Sequence, residues 1–378
     1  MVSVRRSWLL LAALLLVVSC AHASSGSASP ARLTSQSPSA NAAHTQAVDL
    51  RARLDLLVGE HAMIIAKQAA AARAHNDEYT GYATLLTINS NELADLVGGA
   101  LGNQAAAEFR HAWDMQNGYL VDYTIGIVTH DAAKSSGAAS GLQNGFVPQF
   151  AQVLVGLAQL PVGTATQVSM QTSSDLKAML DSELAQSFSS MYPQLHIAYT
   201  DATMIGDPLA TRTARQYPDK FPGDPASNAA DARVFLNMLL QEHAYLATMA
   251  TDAKVAARGA EGAAALAALA ENRKAMIPLL GGLLGASTEA RFGELWATLD
   301  AALIAYAGSG DTAAASALRD AFASHLDLIV PGSAGAARDQ VGATVELVDD
   351  QRGKSYARVA GDDRAAAAAM QPLADRIA

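Results

Sequence analysis

The stretch Leu54–Ile65, LDLLVGEHAMII, recurs in related form as Leu236–Ala247, LNMLLQEHAYLA. Glu60 corresponds to Glu242, so the two stretches are separated by 182 residues (242 − 60). After one inserted residue the correspondence continues at an offset of 183. The residues that match at this second offset are Leu86, Asn89, Gly98, Gly102, Phe109, Trp113 and Tyr123, which recur as Leu269, Asn272, Gly281, Gly285, Phe292, Trp296 and Tyr306. Matches in register over such a length predict a tandem duplication.

The apolar residues of the first copy follow the three-and-four spacing that is typical of amphipathic helices. A first helical stripe covers Leu50–Arg73, and the polar residues around His75 indicate the turn that follows it. The glycines within Gly98–Gly102 predict a second turn, because glycine readily adopts the backbone conformation that ends a helix. The sixth helix of this copy is predicted as one continuous element, Tyr192–Arg215.

No stretch alternates in the manner of a β-strand, so we predict an all-α fold. It would consist of two tandem, homologous antiparallel helical bundles of about six helices each, resembling ferritin or hemerythrin bundles by analogy only. The folded part of the chain should begin near Ala47, and Pro161 and Pro331 should each begin the fifth helix of a copy. The predicted segments are a lipoprotein signal peptide at 1–20, a flexible Ser/Ala linker at 21–44, the first bundle at 45–215, a proline-rich linker at 216–228 and the second bundle at 229–378.

The composition indicates a folded, acidic protein. Hydrophobic residues make up 51% of the 378 residues and charged residues 16%, which is enough apolar material for a large core. The formal net charge is −10, from 36 acidic and 26 basic side chains. Proteins that bind nucleic acids concentrate lysine and arginine on one surface, so we expect no nucleic-acid partner.

The N-terminus has the pattern of an export signal. Two arginines precede an apolar run, Trp8–Val18, which is shorter than a good membrane span. The run leads into Val17–Cys20, VVSC, which resembles a bacterial lipobox, and Cys20 is the single cysteine of the chain. We therefore predict lipidation at Cys20 and a membrane-anchored lipoprotein that faces the periplasm or the cell exterior. Cleavage after Ala21–Ala23, releasing a soluble protein, is the alternative.

Antiparallel helices place residues at one level when they are equally distant from the connecting turn. His61 and Asn89 lie symmetrically about residue 75, and Asn89 and Trp113 lie symmetrically about residue 101. We therefore expect each copy to enclose a layer in which the asparagine and the indole partner the histidine. The candidate residues of this layer and beside it are Glu60, His61, Asn89, Trp113, Glu242, His243, Asn272 and Trp296.

This layer has two interpretations. A buried polar layer fixes the register of packed helices, as a polar residue does at a core position of a coiled coil. Alternatively, His61 and His243 are ligands of copper, iron or zinc, or bind a small molecule. Neighbouring residues on a helix point about 100° apart, so Glu60 is poorly placed to share a metal with His61. We therefore expect no cofactor, with metal binding as the alternative.

Other candidate sites are few. Di-iron bundles use Glu-x-x-His pairs on two helices, whereas this chain has one such pair, Glu108 and His111, on a predicted solvent-facing surface. No nucleophile elbow, phosphate-binding loop or dinucleotide-binding glycine motif is present in the sequence. We expect no catalytic residue and no enzymatic activity.

The residues at Glu60–His61, Trp113 and Asp122–Thr124 give the chain a resemblance to a group of uncharacterised, often duplicated, exported bacterial helical-bundle proteins and lipoproteins. The similarity covers most of the first copy and extends more loosely over the second. It implies an exported helical bundle and carries no activity with it.

The chain departs from this group at three positions. The relatives carry a histidine three residues after the tryptophan, where this chain has Gln116 and, in the second copy, Leu299. A further histidine in their last helix corresponds to Asp201. If these histidines form a metal site in the relatives, the resemblance implies that this chain has lost much of that site.

Two functional hypotheses follow from the sequence. The first is a lipid-anchored envelope protein of binding or scaffold type, whose partner is another envelope protein or a small ligand. The alternative is an extracytoplasmic metal-binding or small-ligand-binding protein that uses the histidine-containing layer of each bundle.

Overall fold

The computed structural model describes residues 40–378, and every regular element in that range is helical, as predicted. The helices are α1 (Ala40–Ala43), α2 (Gln46–Ala74), α3 (Glu78–Leu101), α4 (Asn103–Val128), α5 (Ala132–Gly141), α6 (Val147–Leu157), α7 (Val162–Leu184), α8 (Phe188–Thr200), α9 (Thr203–Gln216), α10 (Asn228–Val255), α11 (Gly259–Leu284), α12 (Glu289–Ser309), α13 (Thr312–Asp327), α14 (Ala334–Gly353), α15 (Tyr356–Ala368) and α16 (Gln371–Ile377). A π-helical segment, Leu142–Phe146, joins α5 to α6, and a 3₁₀ turn precedes α12. The predicted signal peptide, Cys20 and residues 21–39 of the predicted linker lie outside the described residues.

The predicted helix ends agree well with the structure where local chemistry decides them. Helix α2 ends at Ala74, and the next residue, His75, has a left-handed φ of 52° and a backbone N–H that bonds to carbonyls of the last turn. Gly102 has a φ of 101° and separates α3 from α4, and Gly285 has a φ of 95° at the corresponding turn. Pro161 directly precedes α7, as predicted, whereas α14 begins at Ala334, three residues after the predicted Pro331.

The predicted sixth helix is wrong in one respect, because the structure divides it into α8 and α9. The break lies at Asp201–Ala202, where the backbone makes a turn. Pro208 in α9 has no N–H to bond to the carbonyl of Met204, which weakens helical continuity just after the break. The turn places Asp201 at the C-terminal end of α8, where its carboxylate reaches the interior.

The structure also extends slightly further toward the N-terminus than the sequence predicts. Helix α1 precedes the predicted start at Ala47, and Ala43 is buried. The Ala43 carbonyl accepts a hydrogen bond from Arg233 Nη1 at 3.0 Å. This contact fixes the end of the predicted linker against α10.

The two helices that carry the repeated stretch, α2 and α10, pack directly against each other. Around them, α8 packs against α11, and α15 packs against α3. Residues from both halves of the chain contribute to one continuous hydrophobic core. Helix α8 of the first predicted copy therefore covers a helix of the second copy, and α15 of the second copy covers a helix of the first.

Matching ion pairs join the two halves. Arg51 of α2 donates from Nη1 to Asp231 of α10 at 2.5 Å, and Arg233 of α10 donates from Nη1 to Asp49 of α2 at 2.5 Å. Arg233 lies 182 residues after Arg51 (233 − 51), and Asp231 lies 182 residues after Asp49 (231 − 49). Each half therefore supplies the arginine of one ion pair and the aspartate of the other, from matching positions of the repeat.

Each of these arginines also binds the last helix of its own half. Arg51 bonds to Asp207 of α9, and Arg233 bonds to Asp375 of α16. These aspartates are 168 residues apart (375 − 207), so residues in the last helices of the two halves correspond at an offset of 168.

Among the helices described from residue 40 onward, none combines the length and apolarity required to cross a membrane.

Candidate functional site

All eight predicted site residues lie in the interior, each at most 4% exposed. The central helices α2 and α10 supply the glutamates and histidines, while the asparagines lie on α3 and α11 and the tryptophans on α4 and α12. The structure therefore brings the predicted residues of each half together. Their hydrogen bonds differ in part from the predicted ones.

Glu60 is the most fully bonded carboxylate of the site. Its Oε2 accepts from Asn89 Nδ2 at 2.8 Å and from Arg364 Nη2 at 3.0 Å, and its Oε1 accepts from the hydroxyl of Tyr245 at 3.0 Å. Burial raises the pKa of Glu60, and the charge of Arg364 opposes that rise. Tyr245 and Arg364 belong to the second half of the chain, so the second half supplies two of the three side chains that donate hydrogen bonds to Glu60.

Glu242 occupies the matching place but has fewer donors. Its Oε2 accepts from Asn272 Nδ2 at 2.9 Å, and its Oε1 accepts from His196 Nδ1 at 2.7 Å. The position that matches Tyr245 is Met63 (245 − 182), which has no hydroxyl to donate. The hydrogen bond to Glu242 raises the pKa of His196, whose side chain is 49% exposed.

The buried histidines lie against residues that the sequence analysis did not single out. His61 Nε2 hydrogen-bonds to Asn117 Oδ1 at 2.6 Å, whereas His243 Nε2 lies 2.9 Å from Asp300 Oδ1 without hydrogen-bond geometry. Asn117 and Asp300 correspond at the offset of 183 (300 − 117), and each follows its tryptophan by four residues, on the same helix face. That spacing is the signal that could have identified them.

Burial lowers the pKa of His61 to about 4, although the hydrogen bond from its ring to Asn117 opposes the shift. His61 is therefore neutral near pH 7. Because Asn117 Oδ1 only accepts, the proton of the neutral ring lies on Nε2, which leaves Nδ1 as a free lone pair. A neutral imidazole with a free nitrogen is able to bind a metal or accept a hydrogen bond.

The predicted roles of the tryptophans and asparagines are partly wrong. Trp113 and Trp296 contact the histidine rings, with centroids 4.7 and 6.0 Å apart, but both indole nitrogens are buried without a hydrogen-bond partner. Asn89 bonds to Glu60 and not to His61. In the second half Asn272 bonds to Glu242 and also lies 3.3 Å from His243 Nδ1.

A small cavity of about 10 Å³ lies beside His61, a volume close to that of a single water molecule. Trp113, Gln116 and Asp201 also line it, and each contributes a buried polar atom without a partner: Nε1, Oε1 and Oδ2, respectively. Burial and the neighbouring carboxyl of Asp175 raise the pKa of Asp201 to about 8. The structure thus brings together His61 and the two positions, 116 and 201, at which the resemblance expects histidines.

A much larger groove of about 870 Å³ lies between α8 and α11. Its walls are mainly apolar: α8 contributes Phe188, Tyr192 and Ile197, and α11 contributes a row of alanines that includes Ala264 and Ala267. Glu242, His196 and Asn272 line the same groove, so it reaches the second predicted site. The sequence analysis did not predict this groove. The feature that could have indicated it is the alanine-rich segment 263–270.

Within residues 40–378, no cluster of three or more His, Cys, Asp or Glu side chains is arranged to hold a metal ion. Glu108 and His111 are exposed, as predicted.

Comparisons of the chain with protein-family models, with curated proteins and with solved structures found no match.

Proposed function

We propose that this protein is an exported, lipid-anchored envelope protein that binds a small apolar ligand, without catalysing a reaction, in the groove between α8 and α11. The observation that carries the proposal is the groove itself. Its volume of about 870 Å³ falls in the range of small-molecule sites. Its apolar walls and few converging polar groups have the composition of such sites.

We further propose that the chain consists of two homologous helical bundles produced by duplication. The sequence matches support it, and so does the recurrence of contacts at fixed offsets, including the arginine–aspartate pairs between α2 and α10. In this view the two bundles diverged at the surfaces where they meet. One of these surfaces became a closed contact and the other the ligand groove.

Binding in the groove is tested with Nile red, a neutral dye that fluoresces in apolar surroundings. Ala267→Trp places a large ring on an exposed position of the groove wall, so it should lower the affinity roughly tenfold or more by occupying the site. Thr84→Trp, at the matching position of α3 (267 − 183), is the control and should bind the dye like the wild type. Equal binding by Ala267→Trp and the wild type would contradict the proposal.

The lipid anchor is tested at Cys20, which lies outside the described residues. Cells that express the chain and receive labelled palmitate should incorporate the label into the protein, and Cys20→Ser should abolish incorporation and move the protein to the soluble fraction. Retention of label in Cys20→Ser would exclude a lipobox at this position.

Metal binding at His61 is the second candidate function. The cavity beside His61 favours it, because one unprotonated imidazole nitrogen, an amide oxygen of Gln116 and a carboxyl oxygen of Asp201, which would lose its proton to the metal, could together bind copper, iron or zinc. Elemental analysis of protein purified without a histidine tag tests this function. It requires stoichiometric metal that is lost in His61→Ala and retained in His111→Ala, a change of an exposed histidine. His243→Ala extends the test to the second half.

A further inference from the structure

The groove between α8 and α11 has an acidic end. Glu242 lines it with a side chain that is 2% exposed, and Glu271 lines it at the rim. No lysine or arginine of the described chain lines the groove, although Lys274 pairs with Glu271 from outside it at 3.2 Å. Among residues 40–378, His196 contributes the only basic side chain that lines the groove.

The other half of the molecule shows how a carboxylate at this place is compensated. Helix α15 packs on α3 as α8 packs on α11, and α15 carries Arg364 at the position that corresponds to His196 (364 − 196 = 168). The guanidinium of Arg364 bonds to Glu60 at 3.0 Å and also to Glu92. The protein therefore supplies its own cation to Glu60.

Glu242 is compensated less fully than Glu60. His196 takes the place of Arg364, Met63 stands where α10 has the donor Tyr245, and Ala275 stands where α3 has Glu92, the second partner of Arg364 (275 − 92 = 183). A carboxylate has about four lone-pair sites, and Glu242 uses two of them, for Asn272 and His196. A buried carboxylate with spare acceptor sites at the end of an apolar groove is a receptor for a positively charged donor.

We propose that the groove binds a small molecule with an apolar body and a protonated amine, with the ammonium at Glu242 and the apolar body along the alanines of α11. This inference rests on the proposed function and names its ligand class. A carboxylate ligand of the same shape would be repelled by Glu242, and a neutral ligand would gain only the apolar contacts. The ligand's ammonium would take the place that the Arg364 guanidinium has beside Glu60.

The test uses three ligands with the same apolar chain and different charge: decylamine, decanol and decanoate. Their affinities for the full chain are measured by isothermal titration calorimetry, below the concentrations at which the charged ligands form micelles and decanol separates from water. Decylamine should bind roughly tenfold or more tightly than decanol, the effect of one charge-assisted hydrogen bond, and decanoate should bind most weakly.

Two variants examine the role of Glu242 independently. Glu242→Gln should remove most of the preference for decylamine over decanol, because the charge is lost. His196→Arg should do the same while Glu242 is intact, because it provides a built-in cation as Arg364 does for Glu60. The second variant keeps the proposal falsifiable if the first one fails to fold.

The outcomes separate this inference from the function on which it rests. If decanol binds as tightly as decylamine, and Ala267→Trp weakens both, the groove is a ligand site but the charge preference is wrong. If decanoate binds most tightly, the inference is also overturned. If none of the three ligands binds the wild-type chain, both the inference and the proposed function fail.

Discussion

At the scale of single residues, the two buried histidines differ in the side chains that surround them. His61 is 1% exposed and its ring bonds to the side chain of Asn117, which in turn donates to Ser90. His243 Nε2 instead lies 2.9 Å from one carboxylate oxygen of Asp300, whose other oxygen accepts a hydrogen bond from Arg273. One half therefore surrounds its histidine with neutral polar side chains, and the other places it beside an ion pair.

Removing the partner of His61 should be costly. Asn117→Ala leaves the Nε2 proton of His61 buried without an acceptor, so the free energy of unfolding should fall by about 1–3 kcal/mol. Urea denaturation measures the change. Asn91→Ala, an exposed asparagine on α3, is the control and should change stability by about 0.5 kcal/mol or less. Equal effects of the two substitutions would show that the bond from His61 to Asn117 contributes nothing to stability.

The lowered pKa of His61 predicts how stability depends on pH. The unfolded chain takes up a proton at the ordinary pKa of 6.5, whereas the folded chain does so only at a pKa of about 4. The contribution of His61 is therefore complete above pH 6.5 and decreases as the pH falls toward 4, by up to ~3 kcal/mol. Denaturation between pH 4 and 7 should show this loss, and His61→Gln should lack it. Parallel pH curves for the two proteins would contradict the prediction.

Among the helices, close approaches require glycine at some positions and not at others. An added Cβ on Gly126 of α4 would lie 2.6 Å from the backbone nitrogen of Ser135 in α5, so the two helices touch there. On the same helix, Gly118 is exposed and has nothing within 4 Å of an added Cβ. These two glycines form a matched pair.

Substitution of the pair should give effects of opposite sign. Gly126→Ala should destabilise the protein by about 1–3 kcal/mol, because α4 and α5 must separate. Gly118→Ala should stabilise it by about 0.5–1 kcal/mol, because alanine loses less conformational entropy than glycine in a helix interior. Thermal unfolding of both variants provides the measurement. Destabilisation by Gly118→Ala as large as that by Gly126→Ala would show that packing does not cause the difference.

The groove also has an explanation in helix spacing. Where α3 meets α15, small residues allow close contact: an added Cβ on Gly81 would lie 3.2 Å from the Cβ of Ala360. Where α11 meets α8, the position that matches Ala360 is occupied by Tyr192 (360 − 192 = 168). A large ring opposite alanines holds the helices apart, so the space between them opens as the groove.

In the whole molecule, the two halves share one core and are linked by reciprocal ion pairs, so they should unfold together. Trp113 reports on the first half and Trp296 on the second. In chains that retain one of these tryptophans, with Trp8 replaced by phenylalanine, both reporters should give the same urea midpoint. Arg233→Ala should lower both midpoints equally, because it breaks the pairs with Asp49 and Asp375. A shift in the Trp296 signal alone would mean that the halves unfold independently.

The helical class, most helix ends and the burial of the eight site residues could be predicted from the sequence. These features depend on the spacing of apolar residues along a helix, on turn-forming residues such as Gly102 and on the repeat, all of which are local properties of the chain. The repeat also identified Glu60 and Glu242 as matching positions. It could not reveal that one receives an arginine and the other a histidine from the opposite half.

Those differences were decided by the tertiary structure. The partners of the histidines, the arrival of Asp201 beside His61 and the opening of the groove all depend on the distance and rotation between helices that are far apart in sequence. Such distances follow from the packing of side chains on both helices at once, and a one-dimensional pattern does not contain them. The sequence alone thus determined the helical fold and the burial of the eight predicted site residues, and only the tertiary structure decided which side chains they meet.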